Sequence, residues 1–329
     1  MPGRRWREDW AVPGLLALGL LLGVGAAATT CGPGKVQPPG GGPATSNGPA
    51  TLAEARKGFV TKTHDVGMNL GPASVPPPAA FTLVHYPAPP GALAAYVSPR
   101  PADGVRHPAI VWIIGGFGSS IGDTAWLDAS PDNDQSARAF RDAGIVLMLP
   151  SLRGGNDNPG HRESFYGEVD DVVAAGEFVR QLDYVDPDRV YLGGHSTGGT
   201  LALLVVESSQ RFRAVFAFGP ASSVTGYPAD ELAFDRSDAR EVRVRSPVYF
   251  TAGIQTPTWA IEGAEPPSNA SALRVLAKGA PTSLRLLVVP AHNHFSLLAP
   301  ATAVIAQKIL ADTGPASSIQ LTREELAGE

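Results

Sequence analysis

The chain has 329 residues, 43% of them apolar, and this length suits one large domain or two small ones. Its net charge is −5 and its 26 basic residues are scattered, so the composition gives little support for nucleic-acid binding. The single cysteine, Cys31, excludes an internal disulfide, so the fold must depend on its hydrophobic core.

Residues 1–30 predict a targeting segment, because a basic start precedes an uncharged and mostly apolar run from Ala11 to Ala28. Cys31 follows directly and resembles the acylation site of bacterial lipoproteins, although Thr30 stands where glycine or alanine is usual. We therefore expect an exported protein of the cell envelope, lipid-anchored to a bacterial membrane through Cys31. A signal with an idle cysteine and a single membrane-spanning anchor are the alternatives.

Residues 31–50 are rich in glycine and proline and cannot bury a core, so they predict a flexible tether between the targeting segment and the folded part. The folded domain is then predicted to occupy residues 51–329.

Apolar, β-rich runs alternate with segments of helical spacing along this domain, which is the pattern of an α/β fold. The predicted strands are residues 81–87, 92–98, 108–114, 145–150, 212–218, 247–253 and 283–289, with one more leading into Ser196. The predicted helices are residues 136–143, 167–182, 268–279 and 300–312, with one more after Ser196. Because the strands are continuously apolar, they predict a parallel sheet that is covered on both faces.

The sequence Gly194-His195-Ser196-Thr197-Gly198 lies where a buried strand turns sharply into an apolar helix. It matches the G-x-S-x-G pattern of a nucleophile elbow, in which glycines let the two backbones approach and the serine hydroxyl is exposed at the tip. Ser196 is therefore the candidate nucleophile. The histidine beside it, His195, is interpreted as elbow packing or pocket lining.

A serine nucleophile needs a base and an acid, and these follow Ser196 in the order acid, then histidine, on loops after later strands. His294 is the candidate base, and Glu262 is the candidate acid that would hold its imidazole. Glu265, in the same predicted loop as Glu262, is the alternative acid, and His292 is the alternative base.

An oxyanion needs two backbone donors already in place. One is predicted to be the N–H of Thr197, the residue after the nucleophile. The other is predicted in the glycine-rich loop after the strand at 108–114, from Phe117 or its neighbour Gly116.

Three motifs together resemble the α/β-hydrolase superfamily: Gly115-Gly116-Phe117-Gly118, the elbow, and Asn293-His294-Phe295. The nearest resemblance is to dienelactone-hydrolase-like proteins and to prolyl oligopeptidase catalytic domains, over residues 80–313. It implies a mostly parallel central sheet with helices on both faces and a Ser-His-acid hydrolase without metal or cofactor. It also favours His294 over His292, because the family often places an aromatic residue after its histidine.

The sequence departs from the superfamily at two positions. Ile114 stands where a histidine usually precedes the oxyanion glycines, and Thr256 stands where the acid usually follows its strand. Glu262 is preferred over Glu265 as the nearer of the two to the predicted strand.

The leading hypothesis is an exported serine hydrolase, an esterase that forms an acyl-enzyme on Ser196. Its partners would be a small-molecule ester or peptide substrate and the membrane at its N-terminal anchor. A serine peptidase of prolyl-oligopeptidase type is the alternative within enzymes. A non-catalytic surface binding module on the same fold is the alternative outside them.

Overall fold

The computed structural model of the protein describes residues 51–67 and 71–328. The predicted targeting segment, Cys31 and the predicted tether all lie outside these residues. Within them, none of the helices has the length and apolar content needed to cross a membrane.

The core of the domain is one sheet of eight strands. In chain order the strands are β1 (Thr82–Ala88), β2 (Gly91–Val97), β3 (His107–Ile113), β4 (Val146–Pro150), β5 (Val185–His195), β6 (Val215–Phe218), β7 (Thr258–Gly263) and β8 (Leu284–Val289). They lie in the order β1-β2-β4-β3-β5-β6-β7-β8. β2 pairs antiparallel with β1 and β4, and every other pairing is parallel.

Helices cover both faces of the sheet. In chain order they are α1 (Leu52–Arg56), α2 (Arg138–Asp142), α3 (Glu168–Arg180), α4 (Thr197–Ser208), α5 (Ala239–Arg243), α6 (Ala270–Leu276), α7 (Leu298–Ala311) and α8 (Arg323–Ala327). Successive side chains of a strand point to opposite faces. Accordingly, Val111 of β3 packs with α3 and α4, whereas its neighbour Trp112 packs with α2 and α7. The predicted α/β-hydrolase fold, mostly parallel and covered on both sides, is confirmed.

The strand predicted at residues 247–253 is wrong. That segment forms two short 3₁₀ turns, Pro247–Tyr249 and Thr251–Gly253, and the strand between β6 and β8 is β7, which was predicted as loop. The two runs are alike in β-forming residues, and periodicity cannot separate short apolar runs. Pro247 suits the first position of a helical turn, where no N–H is needed.

The topology places the carboxyl ends of β5, β7 and β8 at the same edge of the sheet, with β6 between β5 and β7. β5 is followed by Ser196, β7 ends with Glu262 and Gly263, and β8 leads into the loop that carries His294. In an open parallel sheet, ligands bind outside the carboxyl ends of the strands, so this edge is where a site is expected.

Candidate active site

Ser196 occupies the tip between β5 and α4 with φ 56° and ψ −114°. A positive φ is costly for a residue with a side chain, and it persists only where the surroundings fix it. Here Ser196 N–H donates to Phe218 O of β6 at 2.8 Å, and Ser196 O accepts from Thr200 N at 3.0 Å. The turn is therefore held by the sheet on one side and by the first turn of α4 on the other.

The two glycines of the elbow allow the backbones around Ser196 to touch. A Cβ on Gly194 would lie 2.5 Å from the carbonyl oxygen of Gly198. A Cβ on Gly198 would collide with the carbonyl of Ile113, at the end of β3. Glycine is thus required at both positions by contacts between backbone segments, as the elbow pattern predicts.

Glu262 and His294 form a buried polar pair beside this elbow. His294 Nδ1 lies 2.8 Å from Glu262 Oε2, and the two side chains are 9% and 1% exposed. The same carboxylate also accepts Gly263 N–H at 2.7 Å and Asn269 N–H at 2.9 Å. A buried carboxylate is tolerated when its oxygens are hydrogen-bonded in this way.

Glu265 and His292, the two alternatives, lie elsewhere. Glu265 is exposed, and its backbone N–H donates to His292 O at 2.8 Å. The His292 ring lies 3.4 Å from Ala327 O and 3.4 Å from Ser296 Oγ, on the side of the loop that faces α8. The structure therefore pairs Glu262 with His294.

His294 Nδ1 is occupied by Glu262, which leaves Nε2 as the nitrogen that can act as a base. In the part of the chain that the structure describes, Ser196 Oγ makes no hydrogen bond, so the structure does not join serine and histidine directly. Such bonds are often long or absent without substrate. The two residues are close neighbours through His195, which precedes Ser196 and lies 2.9 Å from His294 O.

The glycine-rich loop after β3 lies beside the elbow. A Cβ on Gly115 would come within 3.3 Å of Ser196 Cβ. Thr197 Oγ1 donates to Gly116 O at 2.6 Å, and the Arg162 guanidinium donates to Phe117 O. Two side chains thus fix two successive carbonyls of this loop.

The hydrogen bond from Thr197 Oγ1 to Gly116 O constrains the direction of the next backbone N–H in this loop. A trans peptide unit carries its C=O and N–H on opposite sides, so the Phe117 N–H, in the same unit as Gly116 O, points away from the Thr197 hydroxyl. The N–H groups of Phe117 and Gly116 both stay candidates for the second oxyanion donor. Both assignments stay predictions, as does that of Thr197 N–H.

An aromatic surface adjoins the elbow. The Tyr227 ring stacks on Phe165 at 5.4 Å between centroids and meets Phe117 edge-on at 5.3 Å. Tyr227 OH lies 2.6 Å from Thr200 Oγ1 on the first turn of α4. Phe117 and Phe165 also line a cavity of about 60 Å³ beside Thr197. This side of the site can contact an apolar group of a substrate.

A comparison of the sequence with known protein families agrees with the position of this site. The sequence profile of the prolyl oligopeptidase family matches residues 131–304, a range that contains Ser196, Glu262 and His294. Among curated proteins, none matches the chain.

Several solved structures share the fold. A puromycin-hydrolysing peptidase of Mycobacterium tuberculosis aligns with a TM-score of 0.56 and 20% identity, over 71% of this chain and 39% of that one. An esterase of Pyrobaculum calidifontis aligns with a TM-score of 0.54 and 20% identity, over 70% of this chain and 84% of that one. An acylaminoacyl peptidase of Pyrococcus horikoshii gives a TM-score of 0.55 and 14% identity, over 75% and 44%. The chain thus spans less than half the length of either peptidase, and identities this low show the fold alone.

Proposed function

The chain belongs to the prolyl oligopeptidase family of serine hydrolases, and from that premise we propose that it is an esterase that forms an acyl-enzyme on Ser196. The observation that carries the proposal is the buried pair of Glu262 and His294, 2.8 Å apart, next to a serine with a strained backbone. A strained serine beside a histidine oriented by a carboxylate is the arrangement that nucleophilic catalysis requires.

In the proposed reaction, His294 Nε2 takes the proton of Ser196 Oγ as the oxygen attacks the ester carbonyl. The new C–O bond places a negative charge on the carbonyl oxygen, which accepts from Thr197 N–H and from an N–H of the Gly116–Phe117 loop. His294 then gives the proton to the leaving alcohol. Water repeats the sequence on the acyl-enzyme and releases the acid. Glu262 accepts the Nδ1–H of His294 throughout and orients the ring.

The aromatic surface formed by Phe117, Phe165 and Tyr227 is proposed to receive the acyl part of the substrate. Rings at about 5 Å spacing present apolar area with little loss of side-chain freedom. We expect acyl groups with an apolar chain or a ring to be cleaved faster than acetyl.

A peptidase is the second candidate, because the family profile and two of the aligned structures carry that activity in their names. Turnover of p-nitrophenyl butyrate and of phenylalanine p-nitroanilide, measured side by side with Ser196→Ala as the blank, separates the two. We expect the larger kcat/KM for the ester. A larger value for the anilide would assign a peptidase instead. A folded protein inactive on both, and unlabelled by a fluorophosphonate, would indicate a binding module.

We also propose that the domain is exported and tethered to the membrane through a lipid on Cys31. The support is the sequence alone: a basic start, an apolar run, a cysteine and a glycine- and proline-rich stretch. Mass analysis of the mature N-terminus in the native host tests this. We expect an acylated Cys31 as first residue, with Cys31→Ala released from the membrane fraction. A retained Met1 or a cut elsewhere would end the proposal.

A further inference from the structure

His195 lies between the proposed nucleophile and base without serving as either. Its side chain is 1% exposed. Nε2 lies 2.9 Å from His294 O, and the two imidazole rings are 4.5 Å apart between centroids. Nδ1 lies 3.0 Å from Oε1 of Gln135, and the ring meets Phe295 edge-on at 5.7 Å. The His195 ring is therefore held on both nitrogens and on one face.

His195 is a neutral imidazole, because burial and then the neighbouring His294 lower its pKa to about 3. A neutral imidazole has one N–H. His294 O and Gln135 Oε1 both accept, so the single proton of the neutral ring can serve only one of them. The backbone carbonyl of His294 cannot turn, whereas the Gln135 side chain can turn its amide over and present its NH₂ to Nδ1. We therefore assign the proton of His195 to Nε2.

The bond from His195 acts on a part of His294 that Glu262 does not touch. Glu262 holds the ring through Nδ1, whereas His195 holds the backbone carbonyl of the same residue. His195 also directly precedes Ser196 on the chain, so it ties the loop of the base to the elbow of the nucleophile.

We infer that His195 is a positioning residue, whose Nε2–H fixes the backbone of His294 relative to Ser196. This inference rests on the proposed function, since it assigns His195 a part in the same reaction. Catalytic geometry tolerates little error: a displacement of about 1 Å can lower the rate about 100-fold. A single hydrogen bond across the two loops can therefore be decisive for the rate while leaving substrate binding alone.

Two variants separate a hydrogen bond from mere packing. Glutamine places an amide NH₂ near the position of Nε2, whereas asparagine places it near Nδ1, out of reach of His294 O. We expect His195→Asn to lower kcat for p-nitrophenyl butyrate by about 10- to 100-fold with little change in KM. We expect His195→Gln to retain most of the wild-type kcat. His195→Phe keeps an aromatic ring but has no hydrogen-bond donor, so its kcat should be close to that of His195→Asn.

His107→Phe is the matched control, because His107 Nδ1 also lies 2.9 Å from a backbone carbonyl, that of Gly144, at the opposite end of the sheet. Its kcat should equal that of the wild type. The end-point of fluorophosphonate labelling counts folded sites in every variant, so a misfolded variant is recognised, and the labelling rate reports on positioning. Equal kcat values for His195→Gln and His195→Asn, or a wild-type kcat for His195→Phe, would overturn the inference. Failure of the wild type to label at all would instead reject the proposed function.

Discussion

Two buried glutamates in this domain have opposite surroundings. Glu262, at the end of β7, is 1% exposed, and its two oxygens contact Gly263 N–H, Asn269 N–H and His294. Glu207, in the last turn of α4, is 2% exposed, and neither of its oxygens has a hydrogen-bond partner among residues 51–67 and 71–328. Burial raises the pKa of the Glu207 carboxyl well above its usual range.

Burial alone does not identify a catalytic carboxyl. A carboxyl without partners takes up a proton and becomes a neutral group inside the core, at a cost to stability. A carboxyl whose oxygens are all engaged can stay charged and orient an imidazole. The partners, and not the burial, distinguish the proposed catalytic acid from a structural one, and three substitutions test this contrast.

The largest effect is expected at Glu262. Glu262→Gln keeps the shape of the side chain but removes the negative charge beside His294, and its NH₂ cannot accept from the N–H groups that both carboxylate oxygens now accept. The kcat for p-nitrophenyl butyrate should therefore fall about 10³- to 10⁴-fold. Glu265→Gln, on the exposed neighbouring carboxylate, should retain wild-type kcat. If the Glu265 variant lost activity and the Glu262 variant did not, the assignment of the acid would be reversed.

A smaller effect is expected at Gly219, which follows β6 with φ +55°. A Cβ there would overlap His294 Cε1 and lie 2.5 Å from Nδ1, so Gly219→Ala should push the imidazole away from Glu262. We expect kcat to fall about 100-fold. Gly144→Ala is the control, because Gly144 also has a positive φ, +79°, but no atom of the described residues lies within 4 Å of the added Cβ.

The Gly144 variant should lose about 1 kcal/mol of stability from backbone strain and no activity. The Gly219 variant should lose both stability and activity. Equal kcat for the two alanine variants would show that His294 does not need the space beside Gly219.

The smallest effect is expected at Glu207, on stability alone. Below the usual carboxyl pKa, Glu207 carries the proton in both the folded and the unfolded chain, so its ionisation does not lower the free energy of unfolding. As the pH rises past that value the unfolded chain ionises and the folded one does not, so stability is lost. Glu207→Gln removes this dependence, and its Tm should exceed that of the wild type by about 2–4 °C at pH 7.

The same comparison at pH 4 should show a much smaller gap in Tm, with esterase activity unchanged at pH 7. A gap that is constant between pH 4 and pH 7 would mean that Glu207 ionises in the folded protein as it does in the unfolded chain.

Much of the fold follows from the sequence. Seven of the eight strands lie where continuous apolar runs predict them, and the turn at Ser196 follows from its glycines. The long-range hydrogen bonds could not be predicted from the sequence. The bond from Thr197 to Gly116 joins residues 81 positions apart, and the bond from His195 to His294 joins residues 99 positions apart. No local pattern encodes such pairings, because the topology of the sheet creates them.

β7 could not be predicted from its own residues, for a related reason. The run Thr258–Gly263 contains a glutamate, and a charged residue argues against a buried strand. Glu262 is tolerated there because His294, Asn269 and Gly263 meet it, which the sequence alone does not reveal. The prediction of Glu262 relies on its nearness to a strand at residues 247–253, which the structure does not contain; in the structure Glu262 lies at the end of β7 and contacts His294.

The central claim is that Ser196 is a nucleophile activated by the pair of His294 and Glu262. The most direct measurement is the rate of fluorophosphonate labelling of the wild type and of Glu262→Gln, with the modified peptide mapped by mass spectrometry. We expect one label, on Ser196, attached far more slowly in the glutamine variant. A label on another residue, or equal rates in the two proteins, would show that Ser196 is not activated by this pair.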